Sequence, residues 1–173
     1  MRRSHGSATP SVPSGGMSSY RRAPARNARL DSAVYVESGR PIFVTIRATT
    51  GRVPFRSAAL NDDVIQTLRE QRDRCGCDVY AFCLMPDHLH LVAAPRESSA
   101  GVCVFVDRFK SASTRVAWRH GNSGRLWCHD HVVRVEEALF AICEYVVLNP
   151  VRAGLVEEAE DYPWGGLLDP ILL

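Results

Sequence analysis

Two histidines one residue apart, His88 and His90, stand in the stretch Leu84-Met85-Pro86-Asp87-His88-Leu89-His90-Leu91-Val92, just after a Pro-Asp turn. In an extended strand alternate side chains share a face, so both imidazoles point one way and Leu89 and Leu91 the other. Two imidazoles on one face make half of a divalent metal site. A third ligand and a reacting group must come from elsewhere in the chain. A second His-x-His, His129-Asp130-His131, follows Cys128, but no matching ligand pair stands at the spacing that a zinc site needs.

Polar groups of the right kind occur on a helix expected over residues 136–148 and closed by Asn149-Pro150. At about 100° per residue, Leu139, Ile142, Cys143, Val146 and Val147 fall on one stripe, the buried face. Tyr145 lies about 130° from the centre of that stripe, and Asn149 falls within about 40° of Tyr145. Periodicity leaves two readings open. Tyr145 is half-covered by the C-terminal segment with Asn149 as a helix C-cap, or the two are presented together for chemistry.

The elements that must position these groups can be read from pattern. Pro41 to Arg47 is rich in β-branched residues and reads as a first strand. A loop follows at Gly51 to Pro54. Asn61 is the expected N-cap of a first helix, with Asp62 and Asp63 in its first turn, Val64, Ile65 and Leu68 as its apolar stripe, and Gly76 as its stop. Asp78 to Met85 reads as a second strand, turned by Pro86-Asp87 into the histidine strand, which runs to Ala94 as an antiparallel hairpin. From Gly101 to Arg119, Val102, Phe105, Val106, Phe109 and Val116 recur at helical spacing. Arg108, Lys110, Arg115 and Arg119 occupy the other sides of that helix, as a solvated face or as a surface that tracks phosphates. His131 to Val135 reads as a short fourth strand. The order predicts an α+β fold, a ferredoxin-like sandwich: a four-stranded antiparallel sheet with helices, plus an additional C-terminal helix carrying Tyr145.

Composition bounds the rest. The chain has 173 residues, 46% of them hydrophobic, enough for one real core. It contains no run of about 18 apolar residues and no apolar N-terminal segment of signal-peptide type, so neither a membrane span nor secretion is expected, and the cytoplasm is the expected location. Six cysteines are present, three of them (Cys83, Cys103 and Cys143) inside apolar stretches, which favours reduced thiols. Cys75-Gly76-Cys77 straddles a turn and reads as incidental rather than redox-active. Trp118, Trp127 and Trp164 suit packing or stacking on unpaired bases. The net charge of +2 hides an asymmetry: six of the 21 basic residues lie in residues 1–30, which hold no acid, and the other 15 face 19 acidic groups. Residues 1–34, rich in Ser, Gly, Pro and Ala, are expected to be a disordered basic tail before a single domain over 35–173. Such an arm suits a phosphate backbone, or is only a solubilising extension.

Several blocks together resemble the REP-associated tyrosine transposases, a group of the single-tyrosine HUH transposases (His, hydrophobic residue, His). They are Ala81 to Val92, Phe109-Lys110-Ser111, Leu126-Trp127, Tyr145 to Val156, and Tyr162-Pro163-Trp164, in family order. The resemblance implies a ferredoxin-like fold acting on single-stranded or hairpin DNA near hairpin-forming repeats. It implies that His88, His90 and Asn149 bind Mg²⁺ or Mn²⁺ and that Tyr145 is the nucleophile, forming a covalent 5′-phosphotyrosine whose reversal gives strand transfer. Arg108, Lys110, Arg115 and Arg152 are the candidate DNA contacts, Arg152 equally as a surface ion pair. The protein is expected to be a monomer or homodimer. Two other functions remain open: a domesticated, non-cleaving DNA-binding protein that kept the fold, and a metal hydrolase acting on small molecules, in which Tyr145 would be dispensable. The connection between Trp127 and His131 is shorter than is usual in the family, which bears on the register of the fourth strand.

Overall fold

The computed structural model describes residues 35–134 and 138–171. The expected N-terminal tail, residues 1–34, lies outside the described residues. Five strands form one antiparallel sheet in the order β4-β1-β3-β2-β5: β1 (Ile42–Ala48), β2 (Cys77–Met85), β3 (His88–Pro95), β4 (Trp127–Arg134) and β5 (Gly165–Leu167). Helices α1 (Ala58–Cys75) and α2 (Val102–Arg119) cover one face. Helix α3 (Leu139–Val147) packs on the other, followed by the single-turn helix α4 (Asn149–Arg152).

Alternation builds both faces. In β1, Ile42, Val44 and Ile46 are fully buried and point toward α1 and α2. Phe43 and Thr45 between them point to the α3 side. The core beneath α1 and α2 joins these residues to Leu89 and Leu91 of β3, Leu60, Val64 and Leu68 of α1, and Phe105 and Phe109 of α2. A smaller core under α3 joins Ala81, Cys83, Met85 and Val92 to Cys143, Val146 and Tyr162. The β2–β3 hairpin forms as expected, with Met85 opposite His88 across the Pro86-Asp87 turn. Gly76 ends α1 in the left-handed conformation, φ 66°, its N–H bonded to the Arg72 and Asp73 carbonyls.

The structure departs from the sequence reading in several places. Helix α1 starts one turn early because Ser57, in extended conformation, takes the N-cap position. Asn61 is instead fully buried inside the helix and donates Nδ2 to the Phe55 carbonyl. Asp62 and Asp63 therefore sit beyond the first turn and serve as acceptors for Trp164 Nε1 and His120 Nε2. Strand β4 begins at Trp127 rather than His131. A bulge in the β1–β4 ladder between Ile46 and Ala48 breaks the period-2 pattern there, and Trp127 is held by packing on Phe55 and Phe109 and by donating Nε1 to Ser113 Oγ. The sheet gains a fifth strand, β5, on the free edge of β2, from a Gly165-Gly166 segment with no strand signature. Helix α3 ends at Val147, one residue earlier than expected, and Asn149 opens α4 with Pro150 in its first turn. Among the described residues no helix is long and apolar enough to cross a membrane.

Candidate active site

Strand β3 presents His88 and His90 on the face that α3 covers. The ladder sets His88 between Arg47 and Met85, and His90 between Thr45 and Cys83. The imidazoles meet edge to face, and their Nε2 atoms are 3.0 Å apart. Each outer nitrogen is held: His88 Nδ1 lies 2.6 Å from Asp87 Oδ1, and His90 Nδ1 lies 3.0 Å from Thr45 Oγ1. With His88 donating Nδ1–H to the carboxylate, its Nε2 carries a lone pair. If His90 likewise donates to Thr45, two lone pairs converge. In the other tautomer, His90 Nε2–H donates to His88 Nε2.

This donor set fits a divalent cation. Bonds of about 2.1 Å at right angles place neighbouring ligand atoms about 3 Å apart. Outer nitrogens fixed by a carboxylate and a hydroxyl are the usual support for metal-binding imidazoles. Burial, then the neighbouring His88 and Arg47, pushes the His90 pKa down to about 4, which keeps that ring neutral at physiological pH. The thiol of Cys83, beside His90 in the sheet, is pushed up to about 12 by burial and stays protonated. Among the described residues no cluster of three His, Cys, Asp or Glu could hold a metal ion.

Helix α3 brings Tyr145 to this place. Its ring centroid lies 6.2 Å from that of His90 and 6.2 Å from that of Phe43, while Phe43 stacks on His90 at 5.4 Å. Tyr145 remains 43% exposed. Asn149 Nδ2 donates to the Tyr145 carbonyl at 2.8 Å, capping the end of α3, and its amide oxygen has no hydrogen-bond partner among the described residues. Asn149 thus makes the helix-end contact expected of a C-terminal cap, one turn after Tyr145. The Arg152 guanidinium lies over the Tyr145 ring, 4.7 Å from its centroid.

His88, His90, Tyr145, Asn149 and Arg152 therefore gather on one side of the sheet. Arg108, Lys110 and Arg115 do not join them, because α2 covers the opposite face. Arg108 and Arg115 line an open groove of about 330 Å³ with Gln71, Arg74, Asp107 and Ser111. Lys110 is ion-paired to Asp130 of β4 at 2.6 Å. Trp127 is core and Trp164 is half-buried, leaving Trp118 as the exposed tryptophan. Phe43 and Thr45 were not singled out from sequence, although the alternation of β1 puts both on the histidine face.

A profile of the family described as "Transposase IS200 like" matches residues 43–145, from Phe43 beside His90 to Tyr145 itself. The chain belongs to this transposase family. A Haemophilus influenzae protein assigned as a REP-associated tyrosine transposase is 26% identical over 102 residues, which cover 50% of this chain and 57% of that protein. The chain thus matches little more than half the length of that relative. Among solved structures, a REP-associated tyrosine transposase bound to a REP hairpin superimposes with a TM-score of 0.57 at 18% identity, covering 86% of this chain and 82% of the other. That likeness establishes the IS200-like transposase fold for the chain. The α+β sandwich expected from sequence is the fold observed.

Proposed function

We propose that the protein cuts and rejoins single-stranded DNA at hairpin-forming repeats, with Tyr145 as the nucleophile and a divalent ion, Mg²⁺ or Mn²⁺, held by His88, His90 and Asn149. The observation that carries this reading is the convergence of the two Nε2 atoms, 3.0 Å apart, beside the ring of Tyr145. The Asn149 oxygen is the neutral ligand that the donor set lacks, and it sits on the turn that follows Tyr145. When bound, the ion supplies Lewis-acid polarisation of the scissile phosphate.

The remaining work falls to the side chains. The Tyr145 oxygen attacks phosphorus and its proton passes to solvent. The bond from phosphorus to the 3′-oxygen breaks, and that oxygen leaves as a 3′-hydroxyl after gaining a proton. The product is a 5′-phosphotyrosine. Attack on this diester by the 3′-hydroxyl of another strand forms a new phosphodiester and releases the tyrosine, with no external energy source. Asp87 and Thr45 keep the two imidazoles oriented, and Phe43 packs the ring of His90 in place. On the far face, Arg108 and Arg115 in the α1–α2 groove are candidate contacts for the DNA backbone, which is attracted by charge alone.

Labelled single-stranded hairpin DNA with Mn²⁺ tests the reading on a denaturing gel. Wild-type protein is expected to give a protein-DNA adduct, Tyr145→Phe none with DNA binding retained, and the double variant His88→Ala/His90→Ala none at any Mn²⁺ concentration. Wild-type cleavage by the double variant would remove the metal from the account. Equal adduct from Tyr145→Phe would remove the nucleophile.

A further inference from the structure

We infer that Arg152 is a positioning residue for Tyr145, setting the orientation of its ring toward the histidine pair; the inference rests on the reading of Tyr145 as nucleophile. The hydroxyl of Tyr145 has no hydrogen-bond partner among the described residues, so within its helical rotamer the direction of the side chain depends on contacts to the ring. Three aromatic or cationic contacts to the ring occur among the described residues. Phe43 and His90 meet the ring near-perpendicularly, at 84° and 66°, each with centroids 6.2 Å apart. Arg152 covers a face, with Cζ 4.7 Å from the centroid. The first two bound the ring on the sheet side. The guanidinium supplies the contact over the ring face, where the π quadrupole attracts a cation.

The backbone explains why Arg152 can hold this place. Helix α4 is a single turn, but it is fixed at both ends. Asn149 Nδ2 bonds to the Tyr145 and Val146 carbonyls, and Arg152 N–H donates to the Leu148 carbonyl at 3.0 Å. Pro150 between them is buried. Nucleophile, candidate ligand and guanidinium are thus fixed to one another by a short stretch of chain. Arg152 makes no ion pair with a carboxylate among the described residues, so the ring is its principal partner. The guanidinium has no hydrogen-bond acceptor among the described residues, and a phosphate drawn to Tyr145 would accept from it.

The test separates positioning from mere DNA contact. Protein labelled with 3-fluorotyrosine gives a ¹⁹F spectrum in which the Tyr145 signal is assigned by its absence in Tyr145→Phe. In Arg152→Ala and Arg152→Gln we expect that signal to shift and narrow while the other tyrosine signals and the circular dichroism stay unchanged. Arg152→Lys, which keeps a cation, should restore much of the wild-type signal. In parallel, adduct formation at saturating hairpin DNA should fall about two- to five-fold or more in Arg152→Ala, with affinity for the DNA changed less than the rate. An unchanged Tyr145 signal in both neutral variants would overturn the inference. So would a loss of DNA affinity that accounts for the whole loss of rate. If Tyr145→Phe still forms adduct while the ¹⁹F signal responds to Arg152, the nucleophile reading fails and the ring contact stands.

Discussion

Replacing Thr45 with valine removes one hydroxyl and little volume. In the folded protein that hydroxyl lies 3.0 Å from His90 Nδ1, on a ring that is 8% exposed, so water has little room to take its place. The loss acts in two ways. A buried polar atom left without its partner costs about 1–3 kcal/mol, which the metal-free protein should show as a lower denaturant midpoint. The tautomer that presents the His90 Nε2 lone pair also loses its support, because Nδ1–H no longer has an acceptor. Removing an outer-shell partner of a metal-binding histidine typically weakens metal affinity about 10- to 100-fold. Titration calorimetry with Mn²⁺ reads this directly, and the adduct rate at limiting Mn²⁺ should fall in step and recover at high Mn²⁺. Affinity within two-fold of wild type, in a variant that is measurably less stable, would refute the argument that Thr45 orients a ligand.

Other outcomes follow from the same geometry. His90 is neutral in the folded state with its pKa near 4, below the 6.5 of an unperturbed histidine. As pH falls from 6.5 toward 4 the unfolded chain takes up this proton first, so metal-free stability should drop by up to about 3 kcal/mol. Denaturant titrations in chelator should show that slope, and His90→Gln should lose it. Tyr162 donates its buried hydroxyl to the Leu84 carbonyl at 2.7 Å beneath α3, so Tyr162→Phe should cost about 1–2 kcal/mol in urea unfolding; no change would deny that bond a role. Removing both groove arginines, Arg108→Ala with Arg115→Ala, should reduce the salt dependence of single-strand binding by a log-log slope of about 1.4 while leaving the adduct yield at saturation unchanged. An unaltered slope would exclude the groove as a DNA contact.

Much of the molecule was legible in the chain because its signals are local. The alternation of Ile42, Val44 and Ile46 fixes the faces of β1, Gly76 stops α1 for lack of a Cβ, and Pro86-Asp87 folds the histidine hairpin. The unread parts depend on tertiary contact. Asn61 has the chemistry of a cap but is drawn inside α1 by the Phe55 carbonyl, leaving the N-cap position to Ser57. Trp127 enters β4 through a bulge that period-2 reading cannot see. Gly165 and Gly166 form a strand only because the edge of β2 offers backbone partners. At the site, helical periodicity placed Tyr145 and Asn149 on one side, but nothing in sequence measures the approach of α3 to β3. That approach comes from Cys143 and Val146 packing on Cys83 and Val92, and it brings Phe43 and Arg152 to the same ring.

The central claim is that Tyr145 takes the DNA phosphate. Digesting the adduct formed with hairpin DNA and Mn²⁺, then sequencing its peptides by tandem mass spectrometry, measures this most directly. The prediction is a single modified peptide spanning residues 139–152, with a nucleotide remnant joined through a 5′-phosphate to the Tyr145 oxygen. A remnant on Tyr80, Tyr162 or any residue other than Tyr145, or cleaved DNA with no covalent peptide, would contradict it.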